Sequence, residues 1–308
     1  MPEMIRLRFG DKRIRKVPKI DPMRPKSMGP KVPTKGWIGQ RKRDGSLTLL
    51  YKVNGTVAYA NRRGVDKTHL YPELVDDEPK AIKARSAIIQ GETFTGEGKL
   101  SDFEDFLRRD LIQDPKEATD RAQKYPLKFE ALDIIRLNGQ RLDNLPLNRR
   151  QEILAGVIPE GTKELSIAKS YPDTEKFLQQ MRKEKGVEGV VFKDLYSTYR
   201  SGKQGAWRKL KFKKEADVVI TGYVPGKGKR KEIGTLKMSV WHKGKLMPVG
   251  EVGTGFTDDE LRRIKKRIDR GDRLFAKIAY MRVGAQGKLY APSFKSLRSD
   301  ITVEETHL

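Results

Sequence analysis

The stretch Gln40-Arg41-Lys42-Arg43-Asp44-Gly45 stands just before the strongest hairpin signal in the chain. Two apolar-rich runs, 47–53 and 56–60, are separated by Asn54-Gly55, which is typical of a tight turn between antiparallel strands. Lys42 is therefore predicted at a strand end or on the loop before a β-hairpin. We expect this part of the chain to be built on antiparallel sheets.

Strand and helix patterns continue through residues 36–214. Apolar runs predict further strands at 91–94, 127–135, 189–193 and 207–212. Helical spacing is present at 103–110, 148–156 and 173–185. Segment 81–89 fits either a helix or the edge of a strand. Together these patterns predict an α+β domain in which antiparallel sheets carry flanking helices.

Residues 1–35 are basic and are interrupted by prolines at positions 18, 22, 25, 30 and 33. Proline fixes φ and removes a backbone donor, so we expect an extended, irregular N-terminal arm. A disordered tail fits the first fifteen residues equally well.

Residues 215–308 form a separate unit in the sequence pattern. Strands are predicted at 217–224, 233–241, 245–252, 274–283 and 288–297. One helix, 257–268, begins with a capping box in which Thr257 and Glu260 satisfy free backbone amides. Five strands and one helix predict a small OB-fold β-barrel. The basic glycine-rich loop 225–231 suits a phosphate-binding loop and a solvated hairpin tip equally well.

The charge of the chain indicates a polyanionic partner. Lys and Arg number 65 against 41 Asp and Glu, and the formal net charge of +24 is spread along the sequence. Nucleic acid is the first expectation and an anionic membrane the second. A strongly charged, solvated surface, as in proteins from hot environments, is the remaining reading.

Several classes of site and location are excluded or disfavoured by composition. The chain has no cysteine, which excludes disulfides, thiolate zinc sites and cysteine nucleophiles. His69, His242 and His307 do not have a metal-ligand spacing. No apolar run approaches the ~20 residues that span a bilayer. The N-terminus also lacks the apolar core of a signal peptide, and we expect a soluble, cytoplasmic protein without a membrane partner.

Lys42 has the surroundings of a nucleophile. A lysine amine must lose its proton to react, and nearby cations and burial lower its pKa. Arg41 and Arg43 flank Lys42, so we expect a lowered pKa. A suitable electrophile is a nucleotide α-phosphate whose charge a divalent cation masks. Attack by the amine would form a phosphoramidate and expel pyrophosphate.

The other parts that this chemistry needs follow in order along the chain. Cations for phosphates and carboxylates for Mg²⁺ are supplied by residues 62, 92, 188, 193, 209 and 211. Lys209 and Lys211 alternate on one predicted strand, so their side chains share a face. Each residue alone is a weak signal, whereas the ordered set is not expected by chance.

This ordered set resembles the covalent nucleotidyltransferase superfamily, and within it the ATP-dependent DNA ligases in their compact, phage-like two-domain form. The resemblance covers residues 20–308. It rests on stretches similar to motif I (Lys42-Arg43-Asp44-Gly45), motif Ia (Asn61-Arg62-Arg63-Gly64), motif III (Gly91-Glu92), motif IIIa (Leu132-Asp133-Ile134), motif IV (188–193, EGVVFK), motif V (Trp207-Arg208-Lys209-Leu210-Lys211) and motif VI (Pro292-Ser293-Phe294 with Arg298-Ser299-Asp300).

The resemblance implies an adenylation domain over 36–214, an OB-fold domain over 215–308, and a role for each motif residue. Lys42 would carry AMP, with Asp44 beside it as a second catalytic residue. Glu92 and Glu188 would bind Mg²⁺ or Mn²⁺. Contacts to ATP would come from Gln40, Lys42, Arg62, Glu92, Leu132, Lys193, Lys209, Lys211 and Arg298. Leu132 stands where the family carries an adenine-stacking aromatic residue, with Phe129 and Phe192 nearby as substitutes.

The resemblance also implies a reaction in three steps. Lys42 attacks the α-phosphate of ATP, AMP passes to the 5′-phosphate of a nick, and the 3′-hydroxyl displaces AMP. The partner would be nicked double-stranded DNA, as in replication, repair and recombination. The protein is expected to be a monomer in the cytoplasm, or in the host cytoplasm if it is viral.

Three alternatives stay open from the sequence. An mRNA guanylyltransferase shares the lysine motif and both domains but uses GTP. An RNA ligase shares the chemistry but generally lacks the OB-fold domain. A non-enzymatic OB-fold nucleic-acid-binding protein would account for the charge but not for Glu92 and Glu188.

Overall fold

The computed structural model describes residues 3–75, 82–96, 102–158, 164–228, 233–284 and 286–308. The chain forms two compact units, Met1–Leu210 and Lys211–Leu308. Of the predicted basic loop 225–231, residues 229–231 lie outside the described part of the chain.

The first unit contains twelve strands among its described residues. They are β1 (Met4–Arg8), β2 (Ile14–Pro18), β3 (Met23–Ser27), β4 (Trp37–Lys42), β5 (Ser46–Val53), β6 (Thr56–Asn61), β7 (Ser86–Thr95), β8 (Leu127–Leu137), β9 (Gln140–Arg141), β10 (Leu165–Ile167), β11 (Gly189–Asp194) and β12 (Gly202–Lys211), the last extending one residue into the second unit. Its described helices are α1 (Asp102–Asp110), α2 (Pro115–Lys124), α3 (Leu147–Val157) and α4 (Thr174–Lys183), with 3-10 turns at Thr68–Leu70 and Pro72–Leu74.

The N-terminal segment is more regular than its prolines suggested. Strands β1 and β2 form an antiparallel hairpin, and β3 pairs with β12. The expectation of an irregular arm is therefore wrong for these residues. Pro18 ends β2 and Pro25 lies on β3, the outer strand of its sheet, where a missing backbone donor is tolerated. Leu7 is fully buried, which anchors the hairpin.

The central sheet has the order β10-β8-β7-β5-β6, with β9 paired to β8. The predicted hairpin is confirmed: Val53 pairs with Thr56, and Asn54 and Gly55 both have positive φ, as a type I′ turn requires. Both faces of this sheet are covered. Leu50 belongs to one apolar cluster and Leu49 to another, which explains why the run 47–53 is apolar almost throughout.

The second sheet, with the order β3-β12-β11-β4, places Lys42. Strand β4 is antiparallel to β11, and Lys42, its last residue, pairs with Gly189, the first residue of β11. Glu188 therefore lies immediately beside Lys42, although 146 residues separate them in the chain. Of the predicted segment 81–89, residues 86–89 form the start of β7 and residue 81 lies outside the described part of the chain.

The predicted helices of the first unit are confirmed. Asp114 caps α2 by accepting a hydrogen bond from the Lys116 amide at 2.7 Å. Asp173 caps α4 in the same way, accepting from the Lys176 amide at 2.9 Å. The acidic caps satisfy amides that the first helical turn leaves without partners.

The second unit contains β13 (Lys214–Val224), β14 (Thr235–His242), β15 (Lys245–Val252), α5 (Asp258–Asp269), β16 (Leu274–Tyr280), β17 (Arg282–Val283), β18 (Leu289–Tyr290) and β19 (Ser293–Arg298). Five strands form an antiparallel sheet of order β15-β14-β13-β16-β19. The capping box of Thr257 and Glu260 is confirmed at the start of α5. The Phe294 amide donates to the Thr254 carbonyl at 2.9 Å, which links β19 to the residues after β15. Full closure into an OB barrel stays a prediction.

Candidate active site

A cavity of about 510 Å³ in the first unit gathers residues from distant parts of the chain. Its wall includes the motif loops that follow β4 and β6, together with side chains of β7, β11 and β12. Seven of the residues predicted from the sequence line it: Gln40, Lys42, Arg62, Glu92, Leu132, Lys193 and Lys209.

Lys42 is held by a carboxylate at the cavity wall. Its Nζ donates to Glu188 Oε2 at 2.5 Å and to the Arg43 carbonyl at 3.3 Å. The Lys42 side chain retains one fifth of its exposure, whereas that of Glu188 retains only 4%. The amine therefore has access to the cavity while a buried carboxylate fixes its position.

The pKa of Lys42 is raised, which corrects the expectation of a lowered value. Burial by itself lowers it, but the charges of Glu188, Glu92 and Asp44 outweigh burial. The flanking arginines have other partners. Arg43 makes two hydrogen bonds to Glu130, at 2.8 and 3.0 Å, and its guanidinium lies 4.7 Å from the Phe94 ring centroid.

Arg41 is 3.7 Å from Glu184 through its Nη1, so both neighbours of Lys42 in sequence are engaged by acids. Without the ligands of the reaction, the amine is an ammonium ion at neutral pH.

Glu92 belongs to a group of acids around Lys42. The pKa of Glu92 is raised to about 7, mainly by burial; Lys42 opposes this shift, and the charges of Glu188, Asp44 and Glu130 contribute to it. Its register partner on β5 is Leu47. The raised pKa means that Glu92 resists ionisation because it lacks a counter-charge. A cation bound nearby would favour its ionised form.

The described residues contain no group of three or more His, Asp or Glu side chains placed to hold a metal ion. Mg²⁺ commonly uses only one or two protein carboxylates and keeps several waters. Glu92 and Glu188 fit this mode of binding, because both carry oxygen donors and crowd negative charge beside Lys42.

Lys193 is buried against an aromatic ring in the same wall. Its Nζ donates to the Leu132 carbonyl at 2.9 Å and lies 4.0 Å from the centroid of the Trp207 ring. Burial lowers the pKa of Lys193 to about 7, with Asp133 and Glu130 opposing that effect. The Trp207 indole N–H is buried in the cavity wall and has no hydrogen-bond partner among the described residues.

Gln40 leaves an unsatisfied acceptor in the cavity wall. Its Nε2 donates to Ser170 Oγ at 3.0 Å and to the Ala168 carbonyl at 3.4 Å, so its amide orientation follows from those acceptors. Its Oε1 is buried and accepts no hydrogen bond from the described residues. A bound ligand that reaches this oxygen with a donor group would satisfy it.

Besides Trp207, the apolar part of the cavity wall consists of aliphatic side chains and contains no phenylalanine. Leu132 and Val191 both line the cavity. Phe129 and Phe192 are fully buried and do not line it, so their suggested role as substitutes for an adenine-stacking residue is wrong. An aliphatic pair offers a planar base dispersion contacts without ring stacking.

A buried polar network holds the N-terminal strand β3 in the cavity wall. The Tyr199 hydroxyl accepts from the Met23 amide at 2.9 Å and donates to Gln90 Oε1 at 2.5 Å. Gln90 Nε2 in turn donates to the Met23 carbonyl at 2.8 Å. The sequence analysis missed Gln90; a polar residue within the apolar run of β7 was the available signal.

Arg62 lies on an ordered loop at the cavity rim. Asn61 Oδ1 accepts from the amides of Arg63 and Val65, at 2.9 and 3.1 Å. Arg62 and Arg63 are exposed and line the cavity. The loop therefore presents two guanidinium groups at the rim.

Four predicted site residues do not line the cavity. Glu188 is one of them, although it contacts Lys42. Asp44 is half-buried and contributes charge near Lys42 without lining the cavity. Lys211 is the exposed last residue of β12, and Arg298 belongs to the second unit. There Arg298 pairs with Asp300 at 2.7 Å and with Asp217 at 3.1 Å; these partners, Asp300 first, raise its pKa.

No described helix has the length and apolar character needed to cross a membrane.

Comparisons with known proteins agree with the motif order. The family described as ATP dependent DNA ligase domain matches residues 24–211, and the ATP dependent DNA ligase C terminal region matches residues 229–274. DNA ligase 2 of Thermofilum pendens is 31% identical over 267 residues, which are 78% of this chain and 44% of that protein. The DNA ligase of Thermococcus onnurineus is 30% identical over 293 residues, with shares of 86% and 52%.

A solved Lig E DNA ligase, described as binding DNA with a minimal scaffold, has a TM-score of 0.66 at 20% identity. The match covers 92% of this chain and all of that one, and it supports the α+β fold. The chain spans about half the length of the curated relatives it matches. With the ligase domain family covering well over half of its residues, the chain belongs to the ATP-dependent DNA ligase family.

Proposed function

We propose that this chain is an ATP-dependent DNA ligase that seals 5′-phosphate/3′-hydroxyl nicks in duplex DNA. The observation that carries the proposal is the shared cavity. Lys42 meets Glu92, Lys193, Lys209 and Arg62 there, and these residues come from five separate segments of the chain. A nucleophile, acids for a cation and cations for phosphates are the parts that nucleotidyl transfer needs.

The first step would be self-adenylation. Lys42 must lose a proton before it attacks, and its contact with Glu188 Oε2 at 2.5 Å holds the amine in place for that step. A bond then forms between Nζ and the α-phosphorus, and the bond from that phosphorus to the bridging oxygen breaks. Pyrophosphate leaves with the bonding electrons. Lys193 and Lys209 line the cavity and would bind the phosphates.

Mg²⁺ fits the carboxylates beside Lys42. When bound, it would mask the negative charge of the phosphates and of Glu92 and Glu188. Neutralising these acids removes the charges that raise the pKa of Lys42, so the amine loses its proton more easily.

The later steps use the covalent AMP. The 5′-phosphate of the nick displaces Lys42 from AMP, giving a DNA-adenylate, and the 3′-hydroxyl then displaces AMP and closes the strand. Arg62 and Arg63 at the cavity rim provide guanidinium groups suited to the 5′-phosphate. The monomeric state and cytoplasmic location stay predictions from the sequence.

Gln40 favours adenine over guanine. Its free Oε1 can accept a hydrogen bond from the exocyclic amine of adenine. Guanine carries a carbonyl at the corresponding position, which would leave two acceptors facing each other. This contact supports the ligase over the mRNA guanylyltransferase.

The test is intact mass spectrometry after incubation with ATP and Mg²⁺. Wild-type protein should gain the mass of one AMP on Lys42, and Lys42→Ala should gain none. Lys35→Ala removes an exposed lysine near the motif and serves as the matched control, which should react normally. GMP on Lys42 without AMP would point to the guanylyltransferase.

Substrate choice needs a second assay on the same protein. Nicked DNA and nicked RNA duplexes of one sequence are incubated with ATP, and the joined strand is measured on a denaturing gel. Sealing of DNA is expected. Exclusive sealing of RNA would favour the RNA ligase alternative, and no adduct with any nucleotide would contradict the proposed enzyme class.

A further inference from the structure

The hairpin of β1 and β2 has one buried and one exposed face. Directly paired residues share a face in an antiparallel ladder, and Leu7 and Val17 lie on the buried face. The other face presents Arg6, Arg8 and Lys16, all exposed, with Arg6 paired directly to Lys16. These three residues are called the hairpin cations below.

The acids near the hairpin do not neutralise these side chains. Asp11 pairs with Arg15 at 2.5 Å, and Glu3 pairs with Lys19 at 2.8 Å. Asp66 accepts from the backbone amide of Arg8, at 2.6 Å. None of the hairpin cations forms an ion pair with a described residue. Like charges directly opposite on a ladder repel, so an external anion that binds both Arg6 and Lys16 would relieve this repulsion.

The hairpin packs against the loop at the cavity rim. A Cβ built on Gly64 would lie 3.3 Å from Ile5 Cγ2 and 3.6 Å from Lys19 Cγ, so the hairpin and this loop are in close contact. Arg62 and Arg63 on the same loop line the cavity. The hairpin thus adjoins the rim loop through the face that carries Ile5, and the hairpin cations lie on its opposite, exposed face.

We propose that the hairpin cations bind the phosphate backbone of the duplex beside the nick. The inference rests on the proposed function, because it takes the nick to lie at the cavity. Arg and Lys on an exposed strand face match phosphates, which position a protein on DNA without reading its sequence. Exposed Ile14 and Met4 on the same face would contact the sugars.

The phosphate contacts predict a change in the salt dependence of DNA binding. Each neutralised phosphate contributes about −0.9 to the slope of log K against log salt. Removing three contacts should therefore flatten the slope by about 2.7 and weaken binding on the order of 10²-fold at 0.1 M salt. The variant is Arg6→Gln with Arg8→Gln and Lys16→Gln, titrated with a nicked duplex from low to high NaCl.

A matched control removes the same charge from another exposed surface. Lys176→Gln, Arg182→Gln and Lys183→Gln change three exposed cations on α4. Their combined effect on the slope should be below about 1. Equal slopes for the two triple variants would overturn the proposal, because net charge alone would then explain binding.

A measurement on wild-type protein keeps the test independent of variant folding. Amine acetylation followed by peptide mass spectrometry is run with and without nicked duplex. DNA should protect Lys16 and leave Lys176 and Lys183 reactive. Unchanged reactivity of Lys16 would overturn the proposal, as would protection by phosphatidylserine vesicles but not by DNA.

Adduct formation separates this inference from the proposed function. The hairpin triple variant should form the AMP adduct at the wild-type rate, because none of its changes touches the cavity. If wild-type protein formed no AMP adduct, the proposed function would be contradicted. The salt slopes and the protection of Lys16 would still decide whether the hairpin cations bind DNA.

Discussion

Glu92→Gln should stabilise the protein at neutral and alkaline pH. The folded pKa of Glu92 is about 7 against an ordinary 4.5. The folded state therefore binds the proton more tightly, and stability is lost as pH rises from about 4.5 through 7. At 1.36 kcal/mol per pKa unit the loss is about 3 kcal/mol, reduced to about 2 kcal/mol because water reaches part of the side chain.

The glutamine variant lacks that ionisation and keeps the shape of the side chain. Its advantage over wild type should be near zero at pH 4 and about 2 kcal/mol at pH 8, or about 4–8 °C in the melting temperature of the first unit. Calorimetry at a series of pH values without Mg²⁺ measures it. Glu175→Gln, an exposed carboxyl on α4, is the control and should change little. A difference between Glu92→Gln and wild type that stays constant from pH 4 to 8 would refute the reasoning.

One pH profile and two substitutions test separate parts of the site. The raised pKa of Lys42 in the free protein predicts that kcat/KM for self-adenylation, measured at low ATP concentration, rises about tenfold per pH unit between pH 7 and 9; a flat kcat/KM profile would contradict it. Gln40→Met removes the free acceptor, and the ratio of AMP to GMP adduct should fall about tenfold; an unchanged ratio would exclude that contact. Tyr199→Phe leaves the Met23 amide unsatisfied and should cost about 1–3 kcal/mol in urea unfolding, whereas exposed Tyr196→Phe should cost less than about 0.5 kcal/mol. Equal losses would contradict a structural role for the Tyr199 hydroxyl.

Short sequence motifs correctly predicted the elements that are stabilised by contacts between residues close in sequence. Asn54-Gly55 fixes its turn through positive φ at both residues, and the Thr257 capping box satisfies amides within one helical turn. The N-terminal hairpin was missed because its stability is not local. Its burial of Leu7 and Val17 depends on partners that enter the fold later in the chain.

For the site too, the sequence predicted which residues take part but not the electrostatic environment of Lys42. The order of motifs predicted Lys42, Glu92 and Lys193, and the structure brings all three to one cavity. The direction of the Lys42 pKa could not be read from its neighbours, because Arg41 and Arg43 are held by acids far away in sequence. Electrostatics depends on distances in space, and sequence adjacency is a poor measure of them.

The ion pair between Lys42 and Glu188 explains how the site can be both stable and reactive. An unprotonated lysine would be a better nucleophile, but it would leave Glu188 buried without a counter-charge, which is costly. The resting protein avoids that cost by keeping the amine charged. Glu92 and Glu188 would hold a divalent cation, which would supply positive charge beside Glu188 in place of the ammonium. Lys42 could then lose its proton without leaving that buried acid unpaired. The acids that raise the pKa of Lys42 in the free protein would thus, by holding the cation, allow its deprotonation.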